Sequence, residues 1–301
     1  MNLDENIDKR CILILRIAVF FCFAGWAWQH IYWDAPYREL FWSEDFFGGV
    51  VSSWGVDWEH YVGNESTDGI IQTFVFKLGF LYLFIGFLAL TVKKKAWGQI
   101  SGLVLGSLLL FLLAYCQYLD KMKYLAQWIE YGGQYLSPLV LILALHFGPR
   151  HRYTINLAIL AFVMIFVGHG LYAIGAYPTP ANFYEMTMNV FPVSESGAEY
   201  IIRFAGFMDM IICLALVVPA FRVPALLYGI FWGFVTALAR PWAGMSLSYE
   251  WWGADQYLHG FFLRFPHFII PLFLYFVLCR GKETAEVGVD ESTSVKMESV
   301  S

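Results

Sequence analysis

Apolar residues occur along the chain in blocks of about twenty, separated by shorter polar stretches. A helix needs about twenty such residues to cross roughly 30 Å of hydrocarbon, so each block predicts a membrane-spanning helix. We expect these eight helices: Cys11–Ile31, Ile70–Val92, Gln99–Leu119, Tyr131–Gly148, Tyr153–Ile174, Glu199–Phe221, Val223–Ala239 and Gly260–Cys279. The pattern therefore predicts an all-α, polytopic membrane protein.

Composition agrees with this class. Hydrophobic residues make up 59% of the chain and charged residues 14%. The net charge of −5 is spread over loops and tails, and no basic stripe with interleaved aromatic residues is present, so we expect no nucleic-acid partner. All 5 cysteines fall inside predicted helices without a CxxC pair, which favours a packing role.

Three polar regions flank or interrupt the predicted helices. Residues 1–10 form a short N-terminus, and residues 280–301 form an acidic, Ser/Thr-rich tail that we expect to be disordered. Between the first two helices, residues 32–69 alternate tryptophan with acidic residues. This pattern predicts short amphipathic helices at the headgroup level, and a lid over an outward-facing pocket is the alternative.

The chain contains signs of an internal duplication. Tyr124–Leu139 aligns with Tyr257–Leu272, sharing Tyr, Leu and a Pro-Leu pair. Phe23–Ile31 aligns in the same way with Phe166–Ile174. Because these matches, and a third between 70–76 and 201–207, occur in one order, we expect two four-helix repeats, 11–148 and 153–279.

Orientation follows from the basic residues near the helix ends. Most of them belong to one side: Lys9, Arg10, Lys93, Lys94, Lys95, Arg150, Arg152, Arg222, Arg280 and Lys282. The other side has fewer: Arg38, Lys121, Lys123 and Arg240. The positive-inside rule then places both termini in the cytoplasm, with a bacterial inner membrane as the expected location, and makes the repeats parallel.

Polar residues inside predicted membrane helices are the candidates for function, since hydrocarbon penalises them strongly. Most lie in the outer half of the membrane, which predicts an outward-facing polar cavity between the repeats. The candidate ligand-binding residues are His169, His267, Arg264, Arg203, Glu130, Gln134, His30 and His259. The alternative is that these side chains only snorkel to the surface or make structural hydrogen bonds.

Two ion pairs are expected from the aligned positions. Gln127, Glu130 and Gln134 recur at helical spacing on one face, and Arg203 is a candidate partner for Glu130. A Lys77–Asp209 pair across the axis between the repeats is the second hypothesis.

No sequence motif names a cofactor or a catalytic residue. His169 with His267 or His30 could supply two haem ligands from facing helices, but no metal-ligand spacing is present and we expect no metal site. GxSxG and HExxH are both absent from the sequence, which argues against hydrolase chemistry.

Two runs resemble the first helix of DoxX-like four-helix membrane proteins, in which an inner arginine leads to an outer His-Gly. They are Leu15–Ile31, which contains Arg16, and Phe166–Gly175, which contains His169 and Gly170. The chain differs from that pattern in its tandem length, and in dividing the arginine and the His-Gly between its halves. The family includes quinone-linked DoxD subunits and, more distantly, HTTM proteins.

The resemblance implies a redox-associated protein that binds a quinone or another lipophilic small molecule, with membrane lipid around it. A non-catalytic transporter or a membrane-complex assembly partner is the alternative. A transporter should have helices broken near the midplane in both halves. Pro138 and Pro271, at aligned positions, partly satisfy that requirement.

Overall fold

The computed structural model describes residues 3–280, and within that range every regular element is helical. Residues 281–301, most of the predicted tail, lie outside the described part of the chain. The described residues form a bundle of long apolar helices with several short helices at its ends.

The first part of the chain contains four long segments and a helical loop. Its helices are α1 (Leu3–Tyr32), α2 (Arg38–Phe41), α3 (Glu44–Ser53), α4 (Trp58–Gly63), α5 (Glu65–Thr91), α6 (Trp97–Asp120), α7 (Leu125–Glu130) and α8 (Gly132–Phe147). Helix α1 begins at Leu3, so the polar residues before Cys11 continue the first long helix. Short helices do fill residues 32–69, as the sequence predicts.

The second part follows the same order with one short helix after its first long one. Its helices are α9 (Arg152–Ala173), α10 (Ala181–Val190), α11 (Glu195–Ala215), α12 (Arg222–Gly244), α13 (Ala254–Phe262) and α14 (Phe265–Tyr275). Short 3-10 segments cover Pro219–Phe221 and Glu250–Gly253, and a π-helical turn covers Phe276–Arg280.

Five of the described helices are long and apolar enough to cross a membrane: Glu5–Tyr32, Glu65–Thr91, Trp97–Asp120, Arg152–Ala173 and Pro219–Gly244. The pair Glu250–Phe262 and Phe265–Cys279, bent by 43°, would make a sixth span. Helix α8 has only 16 residues, and α11 carries Glu199, Arg203 and Asp209 along its length. The sequence predicts a membrane span for each of these two helices, and neither is among the five.

The outer faces of the long helices are apolar. Phe84, Leu108, Phe204 and Phe231 are all more than half exposed. A water-soluble protein rarely exposes so many large apolar side chains on adjoining helices, so these faces fit a hydrocarbon environment.

Each half of the chain contains a short break between two consecutive helices. Gly132 and Gly133 follow the break between α7 and α8, and Pro266 follows the break between α13 and α14. Glycine weakens a helix, and proline cannot donate the backbone hydrogen bond that would continue one. The prediction of a single helix over Gly260–Cys279 is therefore wrong at its break, whereas the predicted helix Tyr131–Gly148 corresponds to α8 alone, because the other break lies just before it.

Each half touches the other through its first helix. Helix α1 packs against α5 and against the broken pair α13 and α14, while α9 packs against α11 and against α7 and α8. A Cβ added at Gly25 would lie 2.4 Å from the backbone nitrogen of Leu263, and one added at Gly168 would lie 2.4 Å from that of Glu130. Glycine therefore permits both close helix contacts.

Arg16 joins α1 to the C-terminal end of α5. Its guanidinium donates to the carbonyl oxygens of Ala89 (3.3 Å), Leu90 and Val92 (2.5 Å). The last carbonyls of a helix lack partners within the helix, so the arginine caps α5. This places Arg16 in a structural role away from the candidate cavity.

Candidate ligand-binding site

Glu130 and Arg264 face each other where the two broken helices meet. Glu130 ends α7, and Arg264 lies in the break between α13 and α14. Arg264 Nη2 and Glu130 Oε1 are 3.9 Å apart, with side chains 11% and 8% exposed. This distance exceeds that of a hydrogen bond, so the contact is an ion pair that leaves donors of the guanidinium available.

A polar cavity of about 250 Å³ lies beside this pair, and we call it the central cavity. Both halves of the chain contribute to it. The lining residues are Trp26, Gln29, Gln117, Tyr131, Arg240, Gln256, Tyr257, His259, Gly260, Leu263 and Arg264. Among the lining side chains, Trp26, Arg240 and Arg264 carry groups that only donate hydrogen bonds.

Several buried nitrogen atoms at or near the central cavity have no hydrogen-bond partner among the described residues. They are Nε of Arg240, Nδ1 of His259 and both ring nitrogens of His267. Such groups cost free energy when left unmatched, and a ligand with acceptor oxygens would satisfy the Nε–H of Arg240 and any protonated ring nitrogen that it reaches.

A second, mostly apolar cavity of about 90 Å³ lies between α9, α10, α11 and α12, and we call it the lateral cavity. Phe183, Trp232 and Thr236 line it together with His169 and Arg240. Arg240 also lines the central cavity, so this residue borders both a polar space and an apolar one.

His169 is held by a buried carboxylate. Its Nδ1 lies 2.7 Å from Oδ2 of Asp209, which is fully buried. The ring also packs against Phe183, with centroids 5.0 Å apart. The carboxylate favours a proton on Nδ1, which leaves Nε2 as the nitrogen for any further contact.

Two of the predicted ligand residues have structural partners instead. His30 is fully buried, with Nδ1 2.6 Å from the Trp26 carbonyl oxygen and Nε2 3.2 Å from the Tyr37 hydroxyl. Gln134 accepts from the indole nitrogen of Trp26 at 2.7 Å. Trp26 in turn lines the central cavity, so Gln134 contributes by orienting a wall residue.

Both predicted ion pairs are wrong. Arg203 is more than half exposed and pairs with Glu199 at 2.7 Å, one helical turn away, rather than with Glu130. Asp209 pairs with His169, whereas Lys77 lines a different surface pocket with Ser66. The aligned positions predict proximity across the two halves, but the nearest partners lie on the same or the adjacent helix.

The structure thus brings Arg264, His259 and Glu130 together, places His267 and His169 near them, and separates Arg203 and His30 from them. Sequence reasoning misses Arg240, because the predicted helix ends at Ala239. Helix α12 continues to Gly244 through Pro241, which places the arginine within the helix.

Arg38 fixes the loop of short helices between α1 and α5 to α5. Its guanidinium donates to Asp68 Oδ1 at 2.7 Å, to Gln72 Oε1 at 2.9 Å and to Asp34. Hydrogen bonding to Asp68 raises the pKa of Arg38 above its ordinary value. These contacts hold α2 against the helical bundle.

Within residues 3–280, no group of three or more His, Cys, Asp or Glu side chains is placed to hold a metal ion. No family model matches the chain, and no curated protein or solved structure matches it either.

Proposed function

We propose that this chain is a multi-pass membrane protein that binds a lipophilic, quinone-like molecule in the central cavity, in a redox-associated role. On this proposal it crosses a bacterial inner membrane eight times, with both termini in the cytoplasm. The DoxX-like resemblance of Leu15–Ile31 and Phe166–Gly175 belongs to the same proposal.

A repeated contact supports the duplication. Gly25 aligns with Gly168, and Leu263 aligns with Glu130. The contact of Gly25 with the Leu263 backbone therefore has the same form as the contact of Gly168 with the Glu130 backbone. Two parallel four-helix repeats, related by an axis between the breaks, would produce this pair of contacts.

The donor-rich lining of the central cavity is the observation that carries the binding proposal. A quinone presents carbonyl oxygens, which only accept hydrogen bonds, and Arg240 and Arg264 only donate them. The adjoining lateral cavity is mostly apolar and could receive part of a hydrophobic tail. A polar end at the guanidiniums and an apolar remainder fit the usual composition of a small-molecule site.

Titration of the purified chain in neutral detergent with decyl-1,4-benzoquinone tests this function by calorimetry. Arg264→Gln should weaken binding by about tenfold or more, since a hydrogen bond to a charged donor contributes about 1.5–3 kcal/mol. Arg203→Gln, which removes an exposed guanidinium, should bind like the wild type. Absence of quinone binding by the wild type would refute the proposal.

A transport function is the second candidate, because both halves contain a broken helix beside the cavity. A cysteine in place of Gln256, which lines the cavity, would report access from each side of the membrane. If an impermeant maleimide labels this cysteine from both sides of the membrane, transport is favoured. If it labels the cysteine from one side only, binding without transport is favoured.

A further inference from the structure

Charges around the central cavity do not balance. Arg240 and Arg264 both line it, and their positive charges act on each other. Among the described residues, Glu130 is the carboxylate whose charge acts on Arg240, and its closest cationic contact is Arg264 at 3.9 Å. The site thus combines two guanidiniums with one carboxylate.

Arg240 makes no hydrogen bond and no ion pair among the described residues; its Nε atom is buried, and the residue as a whole is half-buried. Arg16 and Arg38, by contrast, each donate to three acceptors. A guanidinium that is partly withdrawn from water without an anion is costly, and more so in a helix that is apolar enough to span a membrane. The two guanidiniums and one carboxylate therefore leave a net positive charge that a bound anion would neutralise.

Neighbouring groups extend the same donor surface. His259 lines the cavity and has an unpartnered Nδ1, and Tyr257 offers a hydroxyl. Glu185 lies with Arg240 along an adjoining cavity of about 370 Å³, but these two side chains make no ion pair in the described structure. Planar guanidiniums suit carboxylate and phosphate oxygens, which they can bind through two parallel hydrogen bonds.

We infer that the central cavity binds an anionic head group, carboxylate or phosphate, through Arg240 and Arg264, with the apolar part of the ligand directed towards the lateral cavity. This inference rests on the proposed function for the location of the site alone, because it assigns a charged head group where a quinone would be neutral. An anionic amphiphile and a small free anion share the head-group chemistry.

Calorimetry on the full-length protein in dodecyl maltoside distinguishes these sources with decyl phosphate, inorganic phosphate and neutral decyl-1,4-benzoquinone as probes. Decyl phosphate should bind at least about tenfold more tightly than inorganic phosphate if the ligand is an amphiphile. Equal binding of the two, competing for one site, would assign a free anion. If neither phosphate compound binds while the quinone does, the anion inference fails and the proposed function stands. If a phosphate compound binds and the quinone does not, the anion inference stands and the proposed quinone function fails.

Arg240→Gln should reduce decyl phosphate binding by at least about tenfold, whereas Arg203→Gln should leave it unchanged. Because Arg240 lacks a partner, its replacement should not lower the melting temperature of the ligand-free protein. Should Arg240→Gln fail to fold, Arg264→Gln provides the same test. Unchanged phosphate binding in the folded variant would overturn the inference.

Discussion

Gly168 lies directly against the backbone of Glu130, so that a methyl group on its Cα would come within 2.4 Å of the Glu130 nitrogen. The contact joins the first helix of the second half to the break between α7 and α8. Since Glu130 faces Arg264, this packing also positions one side of the candidate site.

Gly168→Ala should destabilise the protein by about 1–3 kcal/mol, because backbone atoms cannot yield to the added methyl group as a flexible side chain would. The melting temperature in detergent measures this effect. Gly98→Ala is a matched control, as Gly98 lies in α6 with no atom within 4 Å of an added Cβ. Equal melting temperatures of the Gly168→Ala and Gly98→Ala variants would contradict the close packing of Gly168 against Glu130.

Asp209→Asn should destabilise the chain by about 1–3 kcal/mol, since it weakens a buried hydrogen bond to His169. In a double-mutant cycle with His169→Gln, the two losses should be non-additive. Lys77→Met should leave both the melting temperature and the coupling energy between His169 and Asp209 unchanged. Strict additivity of the His169 and Asp209 variants would argue against their pairing.

Arg16→Met should lower the melting temperature, because three carbonyl oxygens at the end of α5 lose their donor. We expect a loss of about 1–3 kcal/mol. Arg10→Met provides the comparison on the same helix, where the arginine is exposed. Similar melting temperatures of the two variants would contradict the capping role of Arg16.

Membrane topology is testable with single cysteines. The native cysteines in the described structure are buried or half-buried, so an introduced exposed thiol should dominate labelling. A cysteine replacing His60 should react with an impermeant maleimide added outside intact cells, and one replacing Lys94 should react only after lysis. The opposite pattern would invert the proposed orientation.

The sequence predicts the long helices well because the length of an apolar block is a local property. The break between α13 and α14 is less predictable: Pro266 falls inside an apolar run, where proline is compatible with a continuous helix in a membrane. Arg240 is missed for the opposite reason, since an Arg-Pro pair resembles a helix end although α12 continues past it.

The candidate site is only partly predictable for a different physical reason. Which residues are ionisable and membrane-embedded can be inferred from the sequence, and Arg264, His259 and Glu130 are found that way. Their partners depend on helix rotation and tertiary contacts. Arg203 therefore faces outward to Glu199, and Asp209 meets His169 instead of Lys77.

The most direct test of the account is a structure of the full chain determined by electron cryo-microscopy in lipid nanodiscs with decyl-1,4-benzoquinone added. The account predicts density for the bound molecule in the central cavity, with a polar end about 3 Å from the guanidinium of Arg240 or Arg264. A central cavity filled only by water, with the quinone bound elsewhere or absent, would contradict it.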